Sequence, residues 1–399
     1  MNRQEEIKQA QEHFARLLDE QYARIDNMRQ ADRPVDYTMK EKIIIGVGGG
    51  DGIGPYITAW AKEVLDFLLA DEVKAGRIVF REIEDLTLEE RIKAGKAIPD
   101  GPLEALKMCD VILKGPTTTP RAGDGVNVES ANVAMRRELD LFANVRPVKV
   151  PQLGIDWTFY RENTEGAYAV GSKGIELADG LGVDFTITTQ AGSERIIRAA
   201  FDYAVRSGQN RLTVVTKANV IKTTDGMFLQ TAKQMAGEYP QVVLDDWYID
   251  IMTAKLLDDK RRRDFKVVVL PNLYGDIITD EAAEIQGGVG TAGSANIGNR
   301  YAMFEAIHGS APRMVEEGRA AYADPSSMLR ACVMLLEHIG QIEKAAQLAM
   351  ALDICTLYDR QFVITGRKDG SSAEAFCKYV MQVVQDKELA HRYAQYTQS

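Results

Sequence analysis

Short runs of β-branched residues that stop at glycine, proline or asparagine, each followed by residues at helical spacing, recur along this chain and restrict how it can fold. The clearest is Val267-Val-Val-Leu270, closed by Pro271-Asn272 and followed by the helical pattern around Asp276-Ile-Ile-Thr-Asp280. Lys42-Ile-Ile-Ile-Gly-Val-Gly48, Gly76-Arg-Ile-Val-Phe-Arg-Glu-Ile83, Asp110-Val-Ile-Leu113 and Arg211-Leu-Thr-Val-Val-Thr216 read the same way. Strands alternating with helices predict an α/β fold, with a mostly parallel sheet covered by helices on both faces. Ligands of such sheets bind at the carboxyl ends of the strands, so the polar residues just past each run are the candidates.

With 399 residues the chain is long enough for two domains. No apolar run approaches the ~18 residues that span a bilayer, so no membrane partner is expected. A net charge of -10 and a pI near 5.2 argue against general nucleic-acid binding and require local arginines wherever an acid is held. Cys109, Cys332, Cys355 and Cys377 form no C-x-x-C pair, which points to buried thiols in a reducing, cytoplasmic compartment. His13, His308, His338 and His391 are too dispersed for a histidine metal site.

Ile7, Phe14, Leu17, Leu18, Tyr22, Ile25 and Met28 recur at helical intervals, so residues 1–30 predict an amphipathic helix that packs on the body of the protein or on another subunit. Its six acidic residues set it apart from transit and signal peptides. Residues 31–40 read as a linker. Gly48-Gly-Gly-Asp51-Gly-Ile-Gly54-Pro55 forms a turn before a helix expected from about Ile57 to Leu69, without a literal G-x-G-x-x-G.

Lys114-Gly-Pro-Thr117-Thr-Thr-Pro120 places hydroxyls at a strand end, or is a simple polar turn. Asn132 and Arg136 share the face of a helix that Ser130 starts, either as its N-cap or as a ligand contact. With Arg146 and Arg161 they describe a pocket for several carboxylates, because guanidinium forks match carboxylates bidentately. Tyr168 is a packing residue or a proton donor. A Gly-rich stretch and the alternating Val183-Asp-Phe-Thr-Ile-Thr-Thr189 predict short extended strands, and Arg195 to Ser207 a helix. Asp276 and Asp280 stand one helical turn apart, where like charges repel unless a helix N-terminus or a cation offsets them. Their delivery by a strand end into the Gly-rich run 287–298 favours a hard cation held by oxygen.

In order, Gly50-Asp-Gly-Ile-Gly-Pro55, Lys114-Gly-Pro-Thr117, Asn144-Val-Arg-Pro147, Arg161-Glu-Asn-Thr-Glu-Gly166, Lys217-Ala-Asn219, Asn272-x-x-Gly-Asp276-x-x-x-Asp280 and His308-Gly-Ser-Ala-Pro312 resemble the isocitrate and isopropylmalate (β-decarboxylating) dehydrogenases. The resemblance runs from about residue 42 to 380. It implies a large α/β domain of residues 41–141 and 287–399 that binds the cofactor, and a small α/β domain of 142–286 for dimerisation and metal, with 1–40 as an extension. It also implies a homodimer with shared active sites and an inter-subunit clasp over about 166–190. Asp250, Asp276 and Asp280 match the Mg2+ or Mn2+ ligands, with Asp250 from the neighbouring subunit. Arg136, Arg146 and Arg161 match the carboxylate clamp, and Lys217, also from the neighbour, the group that removes the hydroxyl proton, with a pKa that the metal would lower. Tyr168 matches the acid that protonates the enol carbon. Asn219 and the loop of His308, Gly309, Ser310, Ala311 and Pro312, continued by Arg313 and by Asp324, match cofactor positions.

Thr117, Ser130 and Asn132 complete the implied substrate site. Ser130 and Asn132 resemble the isocitrate enzymes; against an isopropyl group each would lose a partner, at roughly 1–3 kcal/mol. Isocitrate, a tricarboxylate, is the expected substrate, with homoisocitrate, isopropylmalate or tartrate as alternatives and a non-catalytic subunit as another. Of NAD(P), NADP is favoured by Arg313, Arg367 and Lys368, whereas the missing Lys-Tyr pair and Asp324 speak against it.

Overall fold

The computed structural model describes residues 3–30, 34–120, 128–171 and 173–398. Residues 31–33 of the expected linker and residue 172 of the expected clasp therefore lie outside the described residues. The strands are β1 (Ile43–Gly48), β2 (Ile78–Glu82), β3 (Val111–Lys114), β4 (Ala143–Val150), β5 (Ile155–Glu162), β6 (Ile175–Leu177), β7 (Leu181–Val183), β8 (Arg211–Thr216), β9 (Val243–Tyr248), β10 (Val267–Leu270), β11 (Gly293–Ile297) and β12 (Ala302–Ala306). The chain divides into two compact units, one of Met1–Arg33 with Phe142–Ala282 and one of Pro34–Leu141 with Ala283–Ser399.

In the second of these units the strand order is β2-β1-β3-β12-β11. β1 runs parallel to β2 and β3, and β12 parallel to β3, while β11 is antiparallel to β12. The helices Gly54–Leu68 and Ser326–His338 pack on these strands through faces that include Ile57, Ala61, Leu65, Leu329 and Val333. The first begins at Gly54 rather than near Ile57, because Pro55 in its first turn has φ already set and needs no N–H partner. A short helix, Leu88–Ala94, was not anticipated; its seven residues are too few for an apolar period to show.

The other unit orders its strands β4-β5-β10-β8-β9, with β4 antiparallel to β5 and the rest parallel. All four residues of β10 are buried, as a continuous apolar run requires between two helical layers. The helix Gln190–Arg206 starts five residues before the expected Arg195, since Thr189 Oγ1 accepts the Gly192 N–H at 2.9 Å as its N-cap. The alternating stretch to Thr189 is not a strand throughout. β7 ends at Val183, paired with β6, and beyond it Ile187 makes one isolated bridge to Gly166. Alternation fixes which side chains share a face but supplies no neighbouring edge to pair with.

The N-terminal helix forms over Arg3–Arg29 and turns only part of its apolar stripe inward, with Leu17 buried and Ile25 and Met28 half-buried. Ile7, Phe14, Leu18 and Tyr22 are exposed, Tyr22 by 68%. From Ala10 on, the helix residues that face the unit are Ala10, His13, Leu17, Gln21, Arg24, Ile25 and Met28. Polar anchors outweigh apolar pattern here: Lys173 Nζ donates to Glu20 at 2.6 Å, His13 Nε2 lies 2.8 Å from Lys173 O, and Arg24 meets Glu165 at 2.5 Å. Phe14 keeps one apolar contact, stacked on Phe185 with ring centroids 5.2 Å apart. All four cysteines are buried and unpaired, and burial pushes the Cys109 thiol up to about 11. Among the described residues no helix is long and apolar enough to cross a membrane.

Candidate active site

Register explains the first cluster. Arg161, near the carboxyl end of β5, lies beside Leu270, the last residue of β10, and β10 runs directly into the helix Asn272–Gln286. Arg161 Nε and Nη2 donate to Asn272 Oδ1 at 3.0 and 2.7 Å, and Nη1 to Asp276. Arg146 of β4 reaches the next turn of the same helix, donating to Thr279 Oγ1 at 2.6 Å and Asp280 Oδ1 at 3.0 Å. The Tyr168 hydroxyl donates to Asp276 Oδ2 at 2.8 Å. Helical spacing thus puts Asp276 and Asp280 on one side, and two buried guanidiniums offset their repulsion.

The two carboxylate side chains are 38% and 60% exposed beside arginines at 1% and 8%. Partly exposed carboxylates are the donor set that a hard divalent cation takes, so these residues fit Mg2+ or Mn2+. Asp250 does not join them within one chain; among the described residues no cluster of three His, Cys, Asp or Glu forms. It pairs instead with Lys217, Nζ to Oδ1 at 2.6 Å. Parallel register sets that contact too: Thr216 of β8 lies beside Tyr248 of β9, with Lys217 the next residue on one strand and Asp250 two residues on from the other. The hydrogen bond from Lys217 holds the Asp250 carboxyl below its usual range. Lys217 N–H donates to Asp225 Oδ2 at 2.6 Å. Asp225 also accepts from Tyr274; burial raises its pKa despite these bonds. Asn219, in the turn after Lys217, is exposed.

The other unit carries a second cluster. Lys114 ends β3 and Glu305 lies in β12 directly across from it, so their side chains meet in the interior, Nζ to Oε2 at 3.1 Å. Arg136 Nη2 and Asn296 Nδ2 both donate to Glu305 Oε1, at 3.4 and 2.7 Å. Burial alone would push the Glu305 carboxyl up; the Lys114 and Arg136 charges and the Asn296 bond outweigh it and leave it at about 2. Lys114 falls below its usual value, because burial and the Arg136 charge oppose its ammonium more than Glu305 supports it. Arg136 Nε is buried without a hydrogen-bond partner among the described residues, which leaves capacity for an anion. Ser130 occupies the N-cap position of the helix Ala131–Glu138 but makes no capping bond. Thr117 Oγ1 donates to Asn132 Oδ1 at 3.0 Å.

Three of the motifs converge in this unit. Asp51 N–H donates to Pro116 O at 2.8 Å, Ile53 N–H to Ser310 O at 2.9 Å, and the Thr118 and Ser310 hydroxyls lie 2.6 Å apart. A Cβ at Gly52, whose φ is +59°, would sit 2.0 Å from Ser310 O, so only glycine lets the loops approach. Ala311 itself has φ +41° and precedes the helix Pro312–Glu316, while His308 Nδ1 sits 3.0 Å from Gly309 O. Arg313 Nε donates to Glu317 at 2.6 Å, and Arg319 joins that carboxylate and the Gly366 carbonyl, next to Arg367 and Lys368. Asp324, one residue before the Pro325 N-cap of the helix Ser326–His338, accepts the Ser326 N–H at 2.9 Å.

Glu305, Asn296, Asp225 and Arg91 were not singled out from sequence, and Lys114, within its motif, was given no role. Glu305 had a signal: it is a charged residue inside an apolar strand run, and such a charge has to be paired. Arg91, fully buried, donates to Asp51 Oδ2 at 3.3 Å and to Thr118 O, and neither its spacing nor its neighbours announce this.

Two predictions follow from this packing. A Cβ at Gly275 would lie 2.4 Å from Arg161 Cγ. Gly275→Ala should displace the arginine, raise the substrate KM about tenfold and cost about 1–3 kcal/mol in stability; steady-state kinetics and a thermal melt check both. The Glu162 carboxyl is pushed up to about 7, first by burial and then by the Glu165 charge, against Arg195 and the Thr164 bonds. Its folded pKa exceeds the unfolded value near 4.5, so the folded chain keeps a proton that the unfolded chain releases. Stability from this group is full below that value and is lost as pH rises toward about 7. Thermal melts between about pH 5 and 7 should show the decline in the parent and a flatter profile in Glu162→Gln.

The isocitrate/isopropylmalate dehydrogenase family model matches residues 44–361. Over 312 residues the chain is 39% identical to an isocitrate dehydrogenase [NADP] of Rickettsia bellii, covering 76% of this chain and 61% of that protein. It is 38% identical to isocitrate dehydrogenase [NAD] subunit 2, mitochondrial, of Schizosaccharomyces pombe, covering 76% and 77%. Enzymes named for homoisocitrate and 3-isopropylmalate are similar as well. The crystal structure of isocitrate dehydrogenase from Methylococcus capsulatus superposes with a TM-score of 0.75 at 32% identity, covering 86% of this chain and all of that one. The chain spans about three fifths of the length of the Rickettsia relative. On the match across residues 44–361, and on the order of the motifs that build both clusters, the chain belongs to the isocitrate/isopropylmalate dehydrogenase family.

Proposed function

We propose that this chain oxidatively decarboxylates isocitrate to 2-oxoglutarate with reduction of NADP, as a homodimer with shared active sites. The observation that carries the reading is the helix on which Asp276 and Asp280 stack, fastened by Arg161 and Arg146, with the Tyr168 hydroxyl 2.8 Å from Asp276. That set offers oxygen ligands, fixed cations and a proton donor together. Arg136, Arg146 and Arg161 take the substrate carboxylates, and Thr117, Ser130 and Asn132 the remaining polar atoms. When bound, Mg2+ or Mn2+ on Asp276 and Asp280, completed by Asp250 of the partner subunit, supplies Lewis-acid stabilisation of charge on the C2 oxygen. Lys217 of the partner subunit, as the neutral amine, accepts the hydroxyl proton as the C2 hydride leaves for the nicotinamide. Tyr168 then protonates the carbon from which CO2 has departed.

In this reading the unit bearing β1 is the large, cofactor-binding domain, the unit bearing β10 the dimerisation and metal domain, and 166–190 the clasp. Asn219, His308, Gly309, Ser310, Ala311, Pro312, Arg313 and Asp324 line the cofactor, and Arg313, Arg367 and Lys368 favour the 2'-phosphate. A cytoplasmic location accords with four buried, unpaired thiols. The presence of Lys217 and Tyr168 speaks against a non-catalytic subunit. Steady-state assays of isocitrate, homoisocitrate, 3-isopropylmalate and tartrate with each nicotinamide and Mn2+ test the reading. Isocitrate should give the highest kcat/KM; a preference for another acid overturns the substrate, and about tenfold higher kcat/KM with NAD overturns the cofactor.

A further inference from the structure

Residues before 44 lie outside the family match, yet the N-terminal helix touches the segment that carries Tyr168. Arg24 Nη2 donates to Glu165 Oε1 at 2.5 Å, with the Glu165 side chain 3% exposed. Glu165 is a hub. Its carboxylate accepts Thr189 Oγ1 at 2.6 Å and Thr189 N–H at 2.9 Å, and its carbonyl accepts Asn272 Nδ2 at 3.1 Å. Asn272 in turn takes both Arg161 bonds, and Arg161 holds Asp276, to which Tyr168 donates. A Cβ at residue 192 would stand 2.3 Å from Glu165 Oε1, so Gly192 leaves the space that this carboxylate fills.

We propose that Arg24 is a positioning residue: by neutralising buried Glu165, the N-terminal helix fixes the 161–168 loop and with it Arg161 and Tyr168. The proposal rests on the reading of Tyr168 and Arg161 as site residues. Its physical ground is the cost of an unpaired buried carboxylate. Glu162, three residues away and also buried, already raises that cost, and Arg195, whose Nη2 is bonded to Thr164 Oγ1 at 2.8 Å, is the other cation beside the pair. Without Arg24 the loop would relieve the Glu165 carboxylate by opening toward water, and small displacements of reacting groups are costly in rate. Gln21 Oε1 accepts Arg24 Nε at 3.0 Å and aims the guanidinium, so the helix is built to deliver it.

The test uses full-length Arg24→Met, Arg24→Lys, Glu165→Gln and Arg24→Met/Glu165→Gln with Mn2+, each shown folded at the assay temperature by a thermal melt. Arg24→Met should lower kcat about 10- to 100-fold through Tyr168 and, through Arg161, raise KM for the acid by up to about tenfold. Arg24→Lys should regain most of the loss, and the double variant should match Glu165→Gln, because the buried charge is gone. A kcat for Arg24→Met within about twofold of the parent, or a double variant as impaired as both single losses multiplied, overturns the proposal. Should Arg24→Met not fold, the comparison of Arg24→Lys and the double variant with their parents decides by the same ratios. The ratios are read on whichever 2-hydroxy acid the unaltered enzyme turns over, so a wrong substrate assignment leaves them intact. If it turns over none, hydrogen exchange across 164–171 decides: it should quicken in Arg24→Met, and unchanged exchange overturns the proposal.

Discussion

Replacing Lys217 by Met is expected to lower kcat for isocitrate by about 10²–10⁴-fold with KM nearly unchanged. Lys217 Nζ meets Asp250 at 2.6 Å and its backbone N–H is pinned by Asp225, so the substitution removes the amine that, once deprotonated, takes the hydroxyl proton, without moving the strand end. A group needed to take the hydroxyl proton acts in the transition state more than in binding, hence the split between kcat and KM. Single-turnover kinetics should place the loss in the hydride step, with substrate affinity measured separately by calorimetry. A variant retaining more than about a tenth of the parent kcat would remove Lys217 from the chemistry.

Asp276→Asn should cut kcat/KM by about 10³-fold. Asp276 accepts bonds from Arg161 and Tyr168, and in the proposed site it would also give an oxygen to the divalent cation. The amide keeps the size, loses the charge and turns one acceptor into a donor facing a guanidinium. Titration of Mn2+ by electron paramagnetic resonance should show weakened binding in the variant, and excess chelator should silence the parent reversibly. Full activity in chelator would separate the acid pair from any metal and leave the arginines as its only counter-charge.

What could be read from the sequence was what is local or periodic. The Val267–Leu270 run, the turn at Pro271 and the spacing of Asp276 and Asp280 each lie within one element, and each fixes its own geometry. Arg161 was legible as a residue at a strand end, but its partner Asn272 depends on β5 lying beside β10. Lys114 and Glu305 are 191 positions apart and meet only because β3 and β12 share a register. The N-terminal helix shows the limit from the other side. Its apolar period was plain, whereas its orientation is set by Arg24, Glu20 and His13 finding partners 141 to 160 positions away, which no local pattern encodes.

Gly192 has an evolutionary corollary. A methyl group there would push the Glu165 carboxylate out of its place between Thr189 and Arg24, so a descendant acquiring alanine at 192 loosens the pair with Arg24 unless the acid changes as well. Positions 24, 165 and 192 should therefore drift as a trio, and the helical extension should be lost from those lineages in which that trio has already dissolved.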